Sequence, residues 1–139
     1  MAKEGLNAMR RNCLASFQKL RRMQCAVDGY CRCISCGKVG HWKTMDGGHY
    51  IPRAVRALEL EPDNVWAQCK RCNAFLEGNT TEYRKSLIEK IGLERVEELE
   101  ADSHKWQRGK SKGERKDIAY YKEKRREYER EIKRLQENW

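Results

Sequence analysis

The sequence predicts an α+β fold: a small core of short strands and loops clamped by four cysteines, with an amphipathic helix before it and a long charged helix after it. Three observations carry this expectation. Two Cys-x-x-Cys pairs, Cys33/Cys36 and Cys69/Cys72, bracket a polar insert. Apolar residues recur at steps of three and four near both ends of the chain, the period of a helix buried along one side. The chain is only 39% hydrophobic and 37% charged. Such a chain buries a modest core, and a structural metal would help it fold.

The elements follow in order, as an N-terminal helix (1–29), a clamped core (30–101), a basic linker (102–113) and a C-terminal helix (114–139). In the first, Leu6, Met9, Cys13, Phe17, Leu20 and Gln24 form an apolar stripe over 3–24, with Arg10, Arg11, Lys19, Arg21 and Arg22 mostly opposite. That basic face reads as solvated, with a DNA-backbone role as the second reading. Asp28-Gly29 breaks the helix. Tyr30–Cys33 reads as a short strand into the first cysteine pair, and Gly37 supplies the tight turn. Zinc takes four ligands tetrahedrally, and four cysteines in two turns meet that need. Cys31 competes in register with Cys33, while Cys13 and Cys25 lack paired spacing and read as ordinary buried residues.

Ordinary zinc ribbons separate their pairs by about 15–20 residues. Here 32 residues lie between Cys36 and Cys69. They carry Asp46, His49, Pro52, Arg53 and Arg56 and end at Pro62-Asp63-Asn64, which predicts a hairpin and loops with work of their own. Thr80 or Thr81 is expected to cap a helix over 81–91, Gly92 to stop it, and a second helix to cover 93–101. In the last segment Ile118, Tyr121, Arg125, Tyr128, Ile132, Leu135 and Trp139 form a heptad seam about three heptads long. It serves either self-association or packing on its own domain.

Charge bounds the partners. The net charge is +9 and the pI about 9.3, a balance that attracts polyanions, nucleic acid first. No apolar run approaches the ~20 residues of a membrane span, and Met1–Asn7 holds no signal-peptide core. A cytoplasmic location is expected, where thiols stay reduced and paired cysteines point to metal rather than disulfides.

At Asp46–His49 and Cys69–Asn73 the chain resembles the His-Me finger (HNH) nucleases. It keeps His49 followed by Pro52, then Asn64, then the second cysteine pair. It departs from the pattern at Gly48, where Asp or His is usual, and at Asn73, where His is usual. Phage endonuclease VII resolvases share both departures. The sequence resembles the lambdoid-phage Rap (NinG) recombination nucleases more closely still, through Asp46-Gly47-Gly48-His49-Tyr50, Gln68-Cys69, Gly78-Asn79 and Glu82-Tyr83-Arg84. The likeness is dense over about 31–92.

The resemblance implies a ββα-metal core and a metal-dependent endonuclease acting on branched or single-stranded recombination DNA in a phage-infected bacterial host. His49 suits the general base, since imidazole is substantially neutral at pH 7. Asp46 and the amide oxygen of Asn73 suit a catalytic Mg²⁺ or Mn²⁺. The four-cysteine zinc, with no open position, is structural. Asn64 is expected to fix the loop that carries His49. Arg53, Arg56, Lys70, Arg71 and Arg84 are candidate phosphate contacts. His41 and His104 receive no role. Cutting a four-way junction symmetrically takes two sites, so a homodimer is expected, and a phage recombinase is a candidate partner. Two other readings use the same features: a zinc-ribbon DNA-binding adaptor without catalysis, and a protein-interaction module working through the 114–138 helix.

Overall fold

The computed structural model describes residues 5–107 and 116–139. Helix α1 (Leu6–Cys25) opens the described chain. Its buried stripe is Met9, Cys13, Leu14, Phe17, Leu20 and Met23, so Leu6 and Gln24 fall outside the stripe expected of them. Asp28 and Gly29, both at positive φ, turn the chain into β1 (Tyr30–Arg32), which pairs antiparallel with β2 (Val39–His41). The turn between them carries Cys33 and Cys36.

A second antiparallel pair, β3 (Met45–His49) and β4 (Val65–Cys69), places Met45 opposite Cys69 and His49 opposite Val65. The amide of Ile34 donates to the carbonyl of Ala67 at 2.9 Å, which joins the first cysteine turn to β4. A single π-type turn, Arg71–Phe75, then carries Cys72 and Asn73.

Helix α2 (Thr80–Ile91) is preceded at its N-cap by Asn79 in the left-handed region, so neither threonine caps it. Helix α3 (Leu93–Gln107) runs well past the expected end at 101, into the segment read as a linker. Val96 and Leu99 are fully buried, Ser103 is buried and Trp106 packs on the same cluster, so tertiary contact carries the helix through residues of middling propensity. The rest of that linker, 108–113, and the first residues assigned to the C-terminal helix lie outside the described residues.

Helix α4 (Ile118–Glu137) is capped by the Asp117 carboxylate, which accepts from the Tyr120 amide. It lies along α1 in the same direction. Tyr121 packs with Met9 and Cys13, Tyr128 with Phe17 at 5.1 Å between rings, and Ile132 with Leu20 and Met23. The middle of the heptad seam is therefore filled within the chain, while Ile118 and Trp139 at its ends stay exposed. No helix among the described residues is long and apolar enough to cross a membrane.

Candidate metal centre and the His49 cleft

The four paired cysteines converge. The sulfurs of Cys33, Cys36, Cys69 and Cys72 all lie within 4.8 Å of one another. Cys36 Sγ and Cys69 Sγ are 3.7 Å apart, close to the ~3.8 Å edge of a tetrahedron with 2.3 Å metal–sulfur bonds. The amides of Cys36 and Cys72 donate to the sulfurs of Cys33 and Cys69 at 3.5 Å. Burial raises the Cys33 thiol, but hydrogen bonds led by the Cys36, Cys69 and Ser35 amides outweigh it and bring its pKa to about 7. Geometry and donor set fit zinc, and these cysteines could bind it. Cys31 stands outside the cluster, with its thiol on the Arg22 carbonyl, and Cys13 is buried among apolar side chains.

On β3 the sequence folds around two glycines. A Cβ on Gly48 would lie 2.0 Å from Gln68 Oε1 and 2.9 Å from its Cβ, so any larger residue here would have to displace a buried glutamine. A Cβ on Gly47 would strike Gln18 of α1, whose amide donates to the Gly47 carbonyl. The strand thereby presses close to both neighbours and fixes its two flanking polar residues.

Asp46 is met by two donors, Lys70 Nζ at 2.8 Å on Oδ1 and Asn73 Nδ2 at 3.0 Å on Oδ2. His49 Nε2 lies 2.9 Å from the Glu59 carbonyl. A carbonyl only accepts, so Nε2 carries the hydrogen and Nδ1 is the basic nitrogen. Burial holds the His49 pKa below its ordinary 6.5 against the Glu59 carbonyl, which raises it. His49 and Asn73 line one cleft of about 360 Å³, together with Gln18, Gly47, Arg53 and Gly78. Asn64 is fully buried. It accepts from the Ile51 amide and donates to the carbonyls of Ile51 and Leu58, which ties down the segment after His49.

The cationic candidates divide. Lys70 and Arg71 are exposed, and Arg53 is exposed at the cleft. Arg56 is half-buried, and its carbonyl accepts from Lys116. Arg84, partly exposed, is held by both oxygens of Glu100, which also accepts from Tyr50, so its charge is paired within the chain. The basic face of α1 is likewise not simply solvated. Arg10 bonds Glu59 and the Arg53 carbonyl, Arg21 the Val65 carbonyl and Arg22 the Met45 carbonyl. Their guanidinium groups reach over and donate to loop and strand-end carbonyls.

Sequence reasoning missed Glu59. It is fully buried, ion-paired to Arg10 at 3.1 Å and bonded by the Tyr121 hydroxyl at 2.7 Å, while its own carbonyl holds His49. The available signal was a lone acid in the apolar run Ala57-Leu58-Glu59-Leu60. Gln68 was quoted only as part of a motif. It is buried and donates to Ser35 Oγ and to the Gly78 carbonyl.

Fold and site together define a small α+β protein with a four-cysteine cluster that could bind a metal. The chain belongs to the bacteriophage lambda NinG protein family, which matches residues 8–137. It is 36% identical over 99 residues to the ninG protein of Salmonella phage P22, covering 63% of this chain and 47% of that one. It is 35% identical over 99 residues to the ninG protein of Escherichia phage lambda, with the same coverage, and 35% identical to that of Escherichia phage 933W, covering 63% and 48%. The chain thus spans about half the length of the curated relatives it matches. No solved structure matches it.

Proposed function

We propose that this chain is a metal-dependent, structure-selective DNA endonuclease of phage recombination, hydrolysing phosphodiester bonds in branched DNA such as Holliday junctions, D-loops or flaps. The observation that carries the reading is one cleft lined by His49, with its tautomer fixed by Glu59, and by Asn73, bonded in turn to Asp46. His49 Nδ1 takes the proton of the attacking water. The Glu59 carbonyl keeps the ring oriented while the charge develops. Asp46, which accepts from the Lys70 ammonium on one oxygen and from the neutral Asn73 amide on the other, would with the Asn73 amide oxygen offer the hard oxygen set of a cation that keeps several waters. A Mg²⁺ or Mn²⁺ there supplies Lewis-acid stabilisation of the phosphate and of the leaving oxygen. Arg53, Lys70 and Arg71 are placed to hold the strand by its phosphates.

The partners follow from the substrate. Branched or single-stranded DNA is the ligand, a phage recombinase a candidate companion, and a homodimer the assembly that cuts a four-way junction symmetrically. Since α1 fills the α4 seam, a second copy docks on another face.

The test is cleavage of labelled four-way-junction, flap, single-stranded and duplex DNA by wild type and His49→Ala, with Mg²⁺, Mn²⁺ or EDTA, after zinc is confirmed. Metal-dependent cutting of branched DNA by wild type alone is the expected result. Cutting by His49→Ala at the wild-type rate sinks the catalytic assignment. The second reading is a non-catalytic DNA-binding adaptor, and one observation favours it: both oxygens of Asp46 already have donors from the protein, Lys70 and Asn73. It predicts binding with intact DNA in every lane.

A further inference from the structure

We propose that Phe75, with Leu76 beside it, is a rigid apolar wedge that stacks on the unstacked bases at a DNA branch point. The inference rests on the reading of the cleft as a site for branched DNA, and it names the feature that would select such DNA over a plain duplex.

Phe75 is 81% exposed and Leu76 43% exposed. A chain with so small a core gains by burying aromatic side chains, yet this one stands in solvent. Looseness does not explain it, because the segment is bolted down. The Leu76 amide donates to the Arg71 carbonyl, the Gly78 amide to the Cys72 carbonyl at 2.8 Å and the Asn79 amide to the Leu76 carbonyl at 2.7 Å. Gln68 and Ser35 both donate to the Gly78 carbonyl, at 2.6 and 3.4 Å. Asn79 Nδ2 reaches Cys72 Sγ at 3.5 Å.

Three successive residues, Glu77, Gly78 and Asn79, hold positive φ (49°, 90° and 42°). Two of them are not glycine, and such backbone persists only where its surroundings enforce it. The exposed pair is thus mounted on the cysteine clamp itself. Its position is equally specific. Glu77, Gly78 and Thr80 line the cleft that holds His49 and Asn73, so the wedge stands at the rim of the proposed cutting site.

The chemistry of the surroundings points to a nucleobase. Arg71 is exposed on the same turn as Phe75, and Lys70, exposed and paired with Asp46, precedes that turn directly, in a chain of net charge +9. Cations beside an exposed ring match a base flanked by phosphates. Every base has a face on which an aromatic ring stacks, and apolar wedges enter DNA where stacking is already weak, as it is at a branch.

The test uses the full, zinc-loaded chain without added Mg²⁺ or Mn²⁺, and DNA carrying 2-aminopurine either at the branch of a four-way junction or in the matching linear duplex. Wild type is expected to bind the junction more tightly and to change the fluorescence at the branch. Phe75→Ala should lose that change and bind the junction about tenfold more weakly, with linear-duplex affinity within about twofold of wild type. Phe75→Trp should restore both. The exposed position leaves folding intact, which an unchanged melting temperature checks. Equal loss on both DNAs, no loss on either, or conversion of a wild-type dimer to monomer by Phe75→Ala overturns the wedge. These readouts need no cleavage. A Phe75-dependent branch signal in a protein that never cuts removes the nuclease reading and keeps the wedge. Cutting without branch preference does the reverse.

Discussion

A backbone carbonyl has no proton to give, so the 2.9 Å contact from His49 Nε2 to Glu59 leaves only Nδ1 free to act as a base. His49→Ala should therefore cut about 10²–10⁴-fold more slowly while binding junction DNA as well as wild type, read by single-turnover cleavage beside a binding titration. The pH dependence has a definite sign. Burial lowers the His49 pKa below 6.5, and a base works only when unprotonated. The His49 limb of the rate should rise through a pKa below 6.5 and be flat above neutrality, with an NMR titration of the ring giving the same midpoint. The unfolded chain binds the proton more readily than the folded one between those two pKa values. Stability from this group is thus present above 6.5 and lost as pH falls through the window. Asn64→Ala should lower stability by roughly 2–3 kcal/mol in denaturant melts, because the Ile51 amide and two carbonyls lose a buried partner. At this scale Asp46, His49 and Asn73 stood out through the resemblance to a family motif, and the fold puts Asp46 on Asn73 and Asn73 in the His49 cleft. Glu59 was not legible, because its role is written by Arg10 and Tyr121, 49 and 62 residues away.

The helices show what periodicity can and cannot say. The steps of three and four that mark the α4 seam are the same whether the facing helix is a second copy or α1, so the pattern located the buried face without naming its partner. What decides for α1 is aromatic and polar chemistry along the shared face. Phe17 meets Tyr128, and the Tyr121 hydroxyl reaches across to Glu59, which Arg10 pairs from α1. One buried carboxylate thereby joins both long helices to the segment whose carbonyl orients His49. Removing it leaves the Arg10 guanidinium, mostly covered, without its counter-ion. Glu59→Ala should lower unfolding stability by roughly 3–5 kcal/mol, and Tyr121→Phe by roughly 1 kcal/mol. A double-mutant cycle in chemical denaturation checks the pair. Strictly additive losses would show that the hydroxyl and the carboxylate do not act as one network.

At the scale of the whole molecule, a four-cysteine cluster that could bind a metal stands beside a small and divided core. Its apolar residues fall into separate clusters, one beneath α1 and the cysteines, another between the loop after His49 and helices α2 and α3. The cysteine clamp lies where these meet. Cys33 and Cys36 sit in the β1–β2 turn, and Cys69 and Cys72 lead from β4 into the turn that carries Asn73. This part of the architecture was legible because ligand spacing is a local signal. The path of the insert was not, since the close approach of Gly48 to Gln68 joins residues distant in sequence. By joining the two cysteine turns, the clamp sets the Arg71–Phe75 turn against β3, and with it Asn73 against Asp46. Metal analysis should find one zinc per chain. Stripping it with a strong chelator should abolish the cooperative thermal transition and near-ultraviolet circular dichroism, and refolding with zinc should restore both. Cys72→Ser should behave as the stripped protein does, while Cys31→Ser, changed outside the cluster, should keep its zinc. A stripped chain that melts cooperatively at the wild-type temperature would mean that the four cysteines only decorate a core already sufficient to hold Asp46 and Asn73 together.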